Sequence, residues 1–309
     1  MRRDKDYDLI VVGAGPAGMT AGMYGVRSGL ETLVIDKGIS GGLSNEAPEI
    51  ENYPGFKKVG GMELAEKMKE QASEYVEIKE LEKAERIEMR EKERTRVVFT
   101  EKASYVTKAV IISTGTRHRR LGAKGEDEFL GRGVSYCATC DGFFFRGKPV
   151  IVVGGGDSAV REALYLNNIG CDVTLIHRRE KLRAEPYLQK NLEKANIPIL
   201  WNSVVKEIKG DKAVRSVVSY DKKREIGDKL PVEGVFISIG EEPANELAVQ
   251  MGITIDENGY IITDKSQRTN IERVYAAGDI TGGVRQVVVA CAEGAIAATS
   301  AYNDLLELS

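Results

Sequence analysis

A glycine-marked turn joining a buried strand to a helix occurs twice in this chain, and it leaves few folds open. The first copy begins with Tyr7-Asp8-Leu9-Ile10-Val11-Val12, continuously apolar after a polar start, as a strand covered on both faces of a parallel sheet should be. Gly13-Ala14-Gly15-Pro16-Ala17-Gly18 follows, then a small-residue helix to about Ser28 and a second strand, Thr32 to Ile35, ending at Asp36. Strand, GxGxxG, helix, strand and acid in this order describe a dinucleotide-binding βαβ unit. The first glycine makes the tight turn, the second lets a pyrophosphate approach the backbone, and the third lets helix and strand touch. Amides at the helix N-terminus hold phosphate charge, and Asp36 can accept bonds from ribose hydroxyls.

The pattern returns 141 residues later. Val150 to Val153 predicts the strand and Gly154-Gly155-Gly156-Asp157-Ser158-Ala159 the turn; a helix then runs to about Asn168, and a second strand from Val173 to Ile176. Where the first unit has Asp36, this one has His177-Arg178-Arg179, with Arg183 four residues beyond. A cationic cluster in place of the acid removes repulsion toward a 2′-phosphate and offers fork-shaped donors for it. The second site should therefore take NADP(H), and the first a nucleotide with a free ribose. A similar tripeptide, His118-Arg119-Arg120, follows no such strand and reads as a solvated surface cluster.

A third segment completes the first unit. Ile271 to Ala277 predicts a strand ending in Gly278-Asp279, and Arg285 to Leu306 a long helix of mostly apolar and small residues, buried along much of its surface. A carboxylate at a strand end facing a helix N-terminus suits a bound flavin, with Asp279 on the ribityl hydroxyls and the helix stabilising charge on the reduced ring. The fold class expected is α/β, with two Rossmann-like three-layer nucleotide-binding domains, the second inserted into the first. The boundaries are residues 1–116 and 245–309 for the discontinuous domain and 117–244 for the insert. Both joints, Thr114-Gly115-Thr116 and Ile239-Gly240-Glu241-Glu242-Pro243, carry the glycine or proline of hinges. Glu63 to Tyr75 reads as an amphipathic helix, and the charge-dense residues 79–105 as solvated strands and turns of a subdomain without chemistry.

Composition narrows the function. Lys+Arg 44 against Asp+Glu 47 gives −3 with no long block of like charge, so nucleic acid is not an expected partner. No apolar run nears the roughly 20 residues of a membrane span. The run Leu9 to Val12 after the basic start is too short for a signal peptide, so a cytoplasmic enzyme is expected. Four cysteines are too few for a disulfide scaffold, but Cys137 and Cys140 form a CxxC pair, which in a reducing compartment is metal-binding or redox-active. With two histidines in all, zinc would have to recruit Cys171, Cys291 or a distant His, and no metal is expected. The pair can close a small-ring disulfide that exchanges readily, and Asp141 beside it can move protons as a thiolate leaves or returns.

From end to end the chain resembles the low-molecular-weight thioredoxin reductases. The resemblance is carried by GAGPAG at Gly13, Gly41-Gly42, Glu51-Asn52-Tyr53-Pro54-Gly55, Ser113-Thr114-Gly115 and Arg132-Gly133-Val134-Ser135-Tyr136. It continues through CATCDGFFFRG from Cys137, GGGDSA from Gly154, HRREKLRAE from His177 and AAGDI from Ala276. It implies FAD held by Gly13, Gly15, Pro16, Ala17, Gly18, Asp36, Lys37, Gly41, Gly42, Asn52, Thr114, Gly115, Gly278, Asp279, Arg285, Gln286 and Val287. It implies NADPH held by Gly154, Gly156, Asp157, Ser158, His177, Arg178, Arg179 and Arg183, in a homodimer that reduces thioredoxin or a glutaredoxin-like protein. Hydride would pass from nicotinamide to flavin and electrons on to Cys137–Cys140, with Cys140 on the flavin side and Asp141 as acid/base. Cys137 would attack the partner's disulfide and Cys140 resolve the mixed disulfide. Domain rotation about the two joints would belong to the cycle.

Phe143 and Phe144 resemble the family's docking pocket, with Arg132 as a polar anchor; a buried strand leading into Lys148 is the other reading of Phe143 to Phe145. Two positions depart from the family pattern: Leu43 replaces the usual Gln after the glycine pair, and the second joint lacks the usual Pro-Asn-Thr before Asn245. Cys171 and Cys291 read as packing residues. Other readings keep the scaffold but change the donor to NADH or a deazaflavin, or change the partner, or make the chain a flavin-binding redox sensor. The arginine cluster and the second glycine turn argue against the sensor.

Overall fold

The computed structural model describes residues 6–47, 49–90 and 94–307; the basic start, residues 1–5, lies outside them. The chain divides into two units, Met1–Arg117 with Glu242–Ser309, and His118–Glu241.

The first unit runs β1 (Asp6–Val12), α1 (Pro16–Arg27), β2 (Thr32–Ile35), α2 (Gly61–Ser73), β3 (Glu77–Lys79), β4 (Ala84–Arg90), β5 (Thr95–Thr100), β6 (Ser104–Ile112) and β7 (Thr116–His118). In the second unit follow β8 (Val134–Ser135), α3 (Ala138–Asp141), β9 (Pro149–Gly154), α4 (Asp157–Asn168), β10 (Asp172–Ile176), α5 (Pro186–Lys194), β11 (Ile199–Leu200), β12 (Ser203–Gly210), β13 (Val214–Asp221), β14 (Ile226–Pro231) and β15 (Gly234–Ser238). The chain then returns through β16 (Glu241–Pro243), α6 (Glu246–Met251), β17 (Val274–Ala276) and α7 (Val287–Leu306).

In the first unit β1 lies between β2 and β6, all parallel, with Leu9 beside Thr32 and Ala109. The sheet order is β3-β2-β1-β6-β5-β4, with β17 parallel to β6. Side chains alternate across it. Leu9, Val11 and Ile111 pack under the small residues of α1 and α7, while Ile10, Val12 and Ile112 face Ala248, Ile253 and Ile261. Fully buried residues of this kind contribute roughly 1.5–3 kcal/mol each, and coverage of both faces explains why β1 carries no polar alternation.

Three expectations are revised. The charge-dense stretch is no separate subdomain: β4 and β5 extend the main sheet in antiparallel fashion, and within it Arg96 and Glu82 are buried. Their charges are absorbed by partners distant in sequence. Arg96 donates to the carbonyls of Lys108 and Glu272, and Glu82 accepts the hydroxyls of Thr100 and Tyr105, each at 2.7 Å. The strand expected from Ile271 is shorter, because Thr269 to Arg273 fold into a turn closed by the Val274 amide on the Ile271 carbonyl. The last helix starts at Val287, not Arg285, and is covered on one side by Ala290, Gly294, Ala297 and Ala301 while Val288 and Ile296 stay exposed.

The second unit is built on a five-stranded parallel sheet, β11-β10-β9-β15-β8. One face is covered by α4 and α5 through Val160, Ala163, Leu166, Leu188 and Leu192. The other is covered by the antiparallel sheet β12-β13-β14, with Val205, Ile208 and Val217 against Ile151, Val153 and Ile237. The two connecting strands, β7 and β16, pair with each other. Among the described residues no helix is long and apolar enough to cross a membrane.

Candidate active site

The first glycine turn follows β1. A Cβ on Gly18 would sit 1.7 Å from the Gly13 carbonyl oxygen, so only glycine lets helix and strand meet there. A Cβ on Gly15 would meet no atom of the other described residues within 4 Å, leaving this stretch of backbone open to a ligand. Pro16 occupies the first helical position, and the first turn of α1 holds no acidic residue, so its amides face outward without a competing carboxylate. Asp36, at the end of β2, accepts the Ala14 amide at 2.5 Å and the Gly38 amide at 2.7 Å, which ties the acid to the turn. Lys37 beside it is exposed.

Other segments gather at the same ends of the strands. The Gly41 amide donates to Ala14, and Gly42 lies next to Gly15. Gly278, after β17, packs against Ala17. Thr114 and Gly115, after β6, are bonded to the backbone of Ala244. Asn52 donates to the Gln286 side chain at 2.9 Å, just before α7. Val287 packs toward Ile50, Val59 and Leu64. Asp279 and Arg285 each have a partner, and Leu43 lies half-buried in the turn after Gly42. Asn245, at the second joint, donates to the Gly259 carbonyl at 2.6 Å.

One residue here carried no sequence signal. Glu293, on α7, accepts the Gly278 amide at 2.7 Å and the Thr281 hydroxyl at 3.1 Å. Burial pushes its carboxyl above the ordinary glutamate value, with Asp279 adding to the rise and the Gly278 and Thr281 donors opposing it. Cys291, two residues nearer the helix start, is half-buried; burial raises its thiol, with the Thr20 and Tyr53 hydroxyls opposing the rise.

The second glycine turn follows β9 and is open above Gly156. Asp157 accepts the Glu185 amide at 2.8 Å, tying the start of α4 to the segment after the arginines, and Ser158 is exposed beside it. Arg178, Arg179 and Arg183 are exposed and form no ion pair among the described residues. His177 differs from the expectation. Its ring is buried, with Nδ1 2.8 Å from the Gly154 carbonyl oxygen and Nε2 2.9 Å from that of Lys181. A Cβ on Gly155 would lie 2.1 Å from Nδ1, so the ring is seated on that glycine. His118 and Arg120 are likewise engaged: His118 stacks on Tyr136 at 5.2 Å, and Arg120 pairs with Glu126 and Asp127.

Cys137 and Cys140 form a disulfide, with Cα atoms 5.3 Å apart. Cys137 caps the short α3, and its Sγ accepts the Cys140 amide at 3.1 Å, with the Thr139 hydroxyl 3.3 Å away. Those donors would stabilise a thiolate on Cys137 once the bond opens. Cys140 is exposed and Cys137 half-buried. Asp141 follows, half-buried and without a side-chain hydrogen bond among the described residues. Through Ala138, α3 packs on α4, the helix that starts at the second glycine turn. Cys171 is buried near the Gly142 carbonyl, and burial raises its thiol.

Phe143 and Phe144 are 67% and 70% exposed in a 3₁₀ turn, Gly142–Phe145, not a strand. Phe145 turns inward, edge-on to Phe236 at 5.5 Å. Arg132 is exposed, donating to the Glu128 carbonyl and lying over the Phe129 ring. Among the described residues no cluster of three or more His, Cys, Asp or Glu could hold a metal ion.

A family model described as pyridine nucleotide-disulphide oxidoreductase matches residues 7–294. The chain belongs to that family. Two similar relatives are the thioredoxin reductases of Listeria innocua and Bacillus subtilis. The first is 44% identical over 99% of this chain and 96% of its own length, the second 43% over 100% and 98%. The solved structure of Lactococcus lactis thioredoxin reductase covers 97% of this chain and 99% of that one, with a TM-score of 0.86 at 44% identity. Each half of the family description has its counterpart in the chain: paired glycine turns for nucleotides and a bonded CxxC.

Proposed function

We propose that this protein reduces the disulfide of thioredoxin or a glutaredoxin-like protein with electrons from NADPH, through FAD and the Cys137–Cys140 pair. The observation that carries the reading is the bonded pair on α3, packed against the helix that opens at the second glycine turn. Full-length identity to thioredoxin reductases supports it.

The residues fit both cofactors. The unobstructed space above Gly15, the acid-free start of α1 and Asp36 at the strand end suit FAD in residues 1–116 with 245–309. The open Gly156 and the exposed Arg178, Arg179 and Arg183, which form no ion pair among the described residues, suit a 2′-phosphorylated nucleotide in residues 117–244. When bound, the pair supplies hydride transfer and passes two electrons to the disulfide. His177 acts as a positioning residue, bracing the glycine turn against the segment that carries the arginines.

The remaining chemistry belongs to the chain. Once Cys137 and Cys140 are reduced, Cys137 is the attacking thiolate, since the Cys140 amide and Thr139 hydroxyl both point at its sulfur. Its attack on the partner's disulfide forms a mixed disulfide and releases one partner sulfur, which takes up a proton. Cys140 then attacks Cys137, closing the internal disulfide and releasing the second partner sulfur. Asp141, next in sequence to Cys140, holds and returns the proton in this reading. Phe143 and Phe144 offer exposed aromatic surface beside the pair for the partner to cover. A homodimer in the cytoplasm is the assembly and setting consistent with the relatives.

An anaerobic titration with NADPH, following flavin absorbance, tests the reading. Bleaching complete only after about two equivalents, one for flavin and one for disulfide, is expected. A flavin that stays oxidised under NADPH would refute the donor assignment and turn attention to NADH or a deazaflavin.

A further inference from the structure

The tripeptide His118-Arg119-Arg120, which follows no nucleotide strand, leads into a polar knot of the second unit centred on Glu126. Glu126 is 3% exposed. Its Oε1 accepts the Leu121 amide at 2.8 Å, the Arg120 Nε at 3.2 Å and the Tyr136 hydroxyl, and its Oε2 accepts the Gly122 amide at 2.7 Å. Burial by itself would raise the carboxyl, but the Tyr136 hydroxyl, the two amides and Arg120 outweigh it and hold it below the ordinary glutamate value. Burial and that carboxylate push the Tyr136 hydroxyl up, so the phenol keeps its proton and donates it.

The loop that carries Glu126 is fixed to β12. The Lys124 amide donates to the Lys206 carbonyl at 3.1 Å, and the Ile208 amide to the Lys124 carbonyl at 2.7 Å. A Cβ on Gly125 would lie 2.3 Å from the Ile208 carbonyl oxygen, so loop and strand touch where only glycine fits. A carboxylate offers about four acceptor positions. Arg120, Leu121 and Gly122, all from the start of the same loop, take three of them, and the fourth goes to Tyr136, the residue that enters Cys137. Tyr136 is held by its ring as well, stacked on His118 at 5.2 Å with the planes 11° apart. Beside it Ser135, on β8, accepts the Cys137 amide at 3.0 Å and donates to the Cys137 carbonyl at 3.2 Å. The chain is therefore anchored through side chains immediately before the first sulfur of the pair.

We propose that Glu126 is a positioning residue for the redox pair: acting through the Tyr136 hydroxyl, its carboxylate fixes the backbone entering Cys137 and keeps the two sulfurs within reach of each other when the pair is reduced. The inference rests on the reading of Cys137 and Cys140 as the redox centre. Closing a disulfide costs the dithiol form its remaining freedom, and the more the fold has already restricted the backbone, the less is left to lose. Releasing Tyr136 lowers the effective concentration of one sulfur at the other. The disulfide is then easier to reduce, and Cys140 resolves the mixed disulfide on Cys137 more slowly.

The test equilibrates FAD-loaded protein anaerobically with mixtures of dithiothreitol and its cyclic disulfide. After alkylation, the thiols gained beyond the free Cys171 and Cys291 are counted by mass. Two dithiothreitol thiols become the cyclic disulfide as the Cys137–Cys140 bond becomes two thiols, so electrons and protons balance. Tyr136→Phe removes one oxygen and keeps the ring that stacks on His118. Its pair should be half reduced at a ratio of dithiothreitol to cyclic disulfide about 5- to 30-fold lower than in the parent, the equivalent of one residue's backbone freedom. Glu126→Gln should shift the ratio the same way, and the double variant no further than the larger single shift, because Glu126 acts through that hydroxyl. A merely structural role would lower Tm and leave the ratio where it was. An unshifted ratio in Tyr136→Phe overturns the proposal whatever its Tm, and additive shifts in the double variant overturn the route through Tyr136. The equilibrium needs neither NADPH nor a protein partner: a parent flavin that stays oxidised under NADPH refutes the donor assignment, whereas an unshifted ratio refutes the role of Glu126.

Discussion

Replacing His177 with alanine separates a side chain that holds the cofactor from one that holds the loop. Its ring nitrogens lie 2.8 and 2.9 Å from the carbonyl oxygens of Gly154 and Lys181, and it is 5% exposed. A neutral imidazole donates to one of these carbonyls and a doubly protonated one to both. The variant therefore leaves one or two buried acceptors without donors, at about 1–3 kcal/mol each. The void beside Gly155 and Trp201 adds about 1 kcal/mol. The sum, about 2–7 kcal/mol, is a large part of the 5–15 kcal/mol that typically holds a domain. Trp201 is the only tryptophan in the chain and meets the His177 ring edge-on at 6.2 Å, so urea unfolding followed by its fluorescence reports on the second unit. The midpoint should fall. KM should rise for both NADPH and NADH, because the glycine turn loses its brace for either nucleotide. Arg179→Gln should raise KM for NADPH alone, since NADH has no 2′-phosphate. A His177→Ala protein as stable as its parent, with KM raised only for NADPH, would refute the bracing argument and make the ring a direct phosphate ligand.

Three further outcomes follow from the geometry. Cys137→Ser should keep NADPH-driven bleaching of the flavin but with about one equivalent, and lose turnover of a thioredoxin disulfide; unchanged turnover would remove the pair from the mechanism. Phe143→Ala should raise KM for a thioredoxin-like partner about 5- to 30-fold, from the 1–2 kcal/mol of an exposed aromatic anchor, while leaving the rate with a small aromatic disulfide unchanged; equal losses with both substrates would argue against docking. Glu293 holds its proton more tightly in the folded chain than in the unfolded one, because burial raises its carboxyl. Stability should thus fall as pH rises from the unfolded glutamate value through the raised folded one, with the full penalty above it. Glu293→Gln keeps an acceptor for Gly278 and should raise Tm at neutral pH while removing that slope; parallel Tm–pH curves for the two proteins would refute it.

What was legible early is what short-range rules control. The apolar run Leu9 to Val12, the spacing of Gly13, Gly15 and Gly18, and Asp36 after the second strand can be read locally because each acts within one βαβ unit. The exchange of Asp36 for His177-Arg178-Arg179 was legible for the same reason: an aligned repeat exposes a change of charge at one position. Residues 79–105 misled because their charges mimic a solvated segment. Arg96 is neutralised in part by the Glu272 carbonyl, 176 residues away, and no window of sequence contains both. Glu293 escaped notice for a like reason, since its partners lie on Gly278 and Thr281 and its meaning depends on where α7 begins.

By itself the sequence determined two glycine turns, each between a buried strand and a helix, the sign of charge beside each, and a CxxC pair next to an acid. These are matters of residue type and spacing, and the backbone rules behind them act over a few residues. Only the tertiary structure decided which way the side chains point. It turned His177 inward and left Arg178, Arg179 and Arg183 outward, exposed Phe143 and Phe144 while turning Phe145 onto Phe236, and buried Arg96 and Glu82 in the main sheet. The physical reason is that burial and hydrogen-bond satisfaction are settled by atoms far apart in the chain, which the fold alone brings within 3 Å of one another.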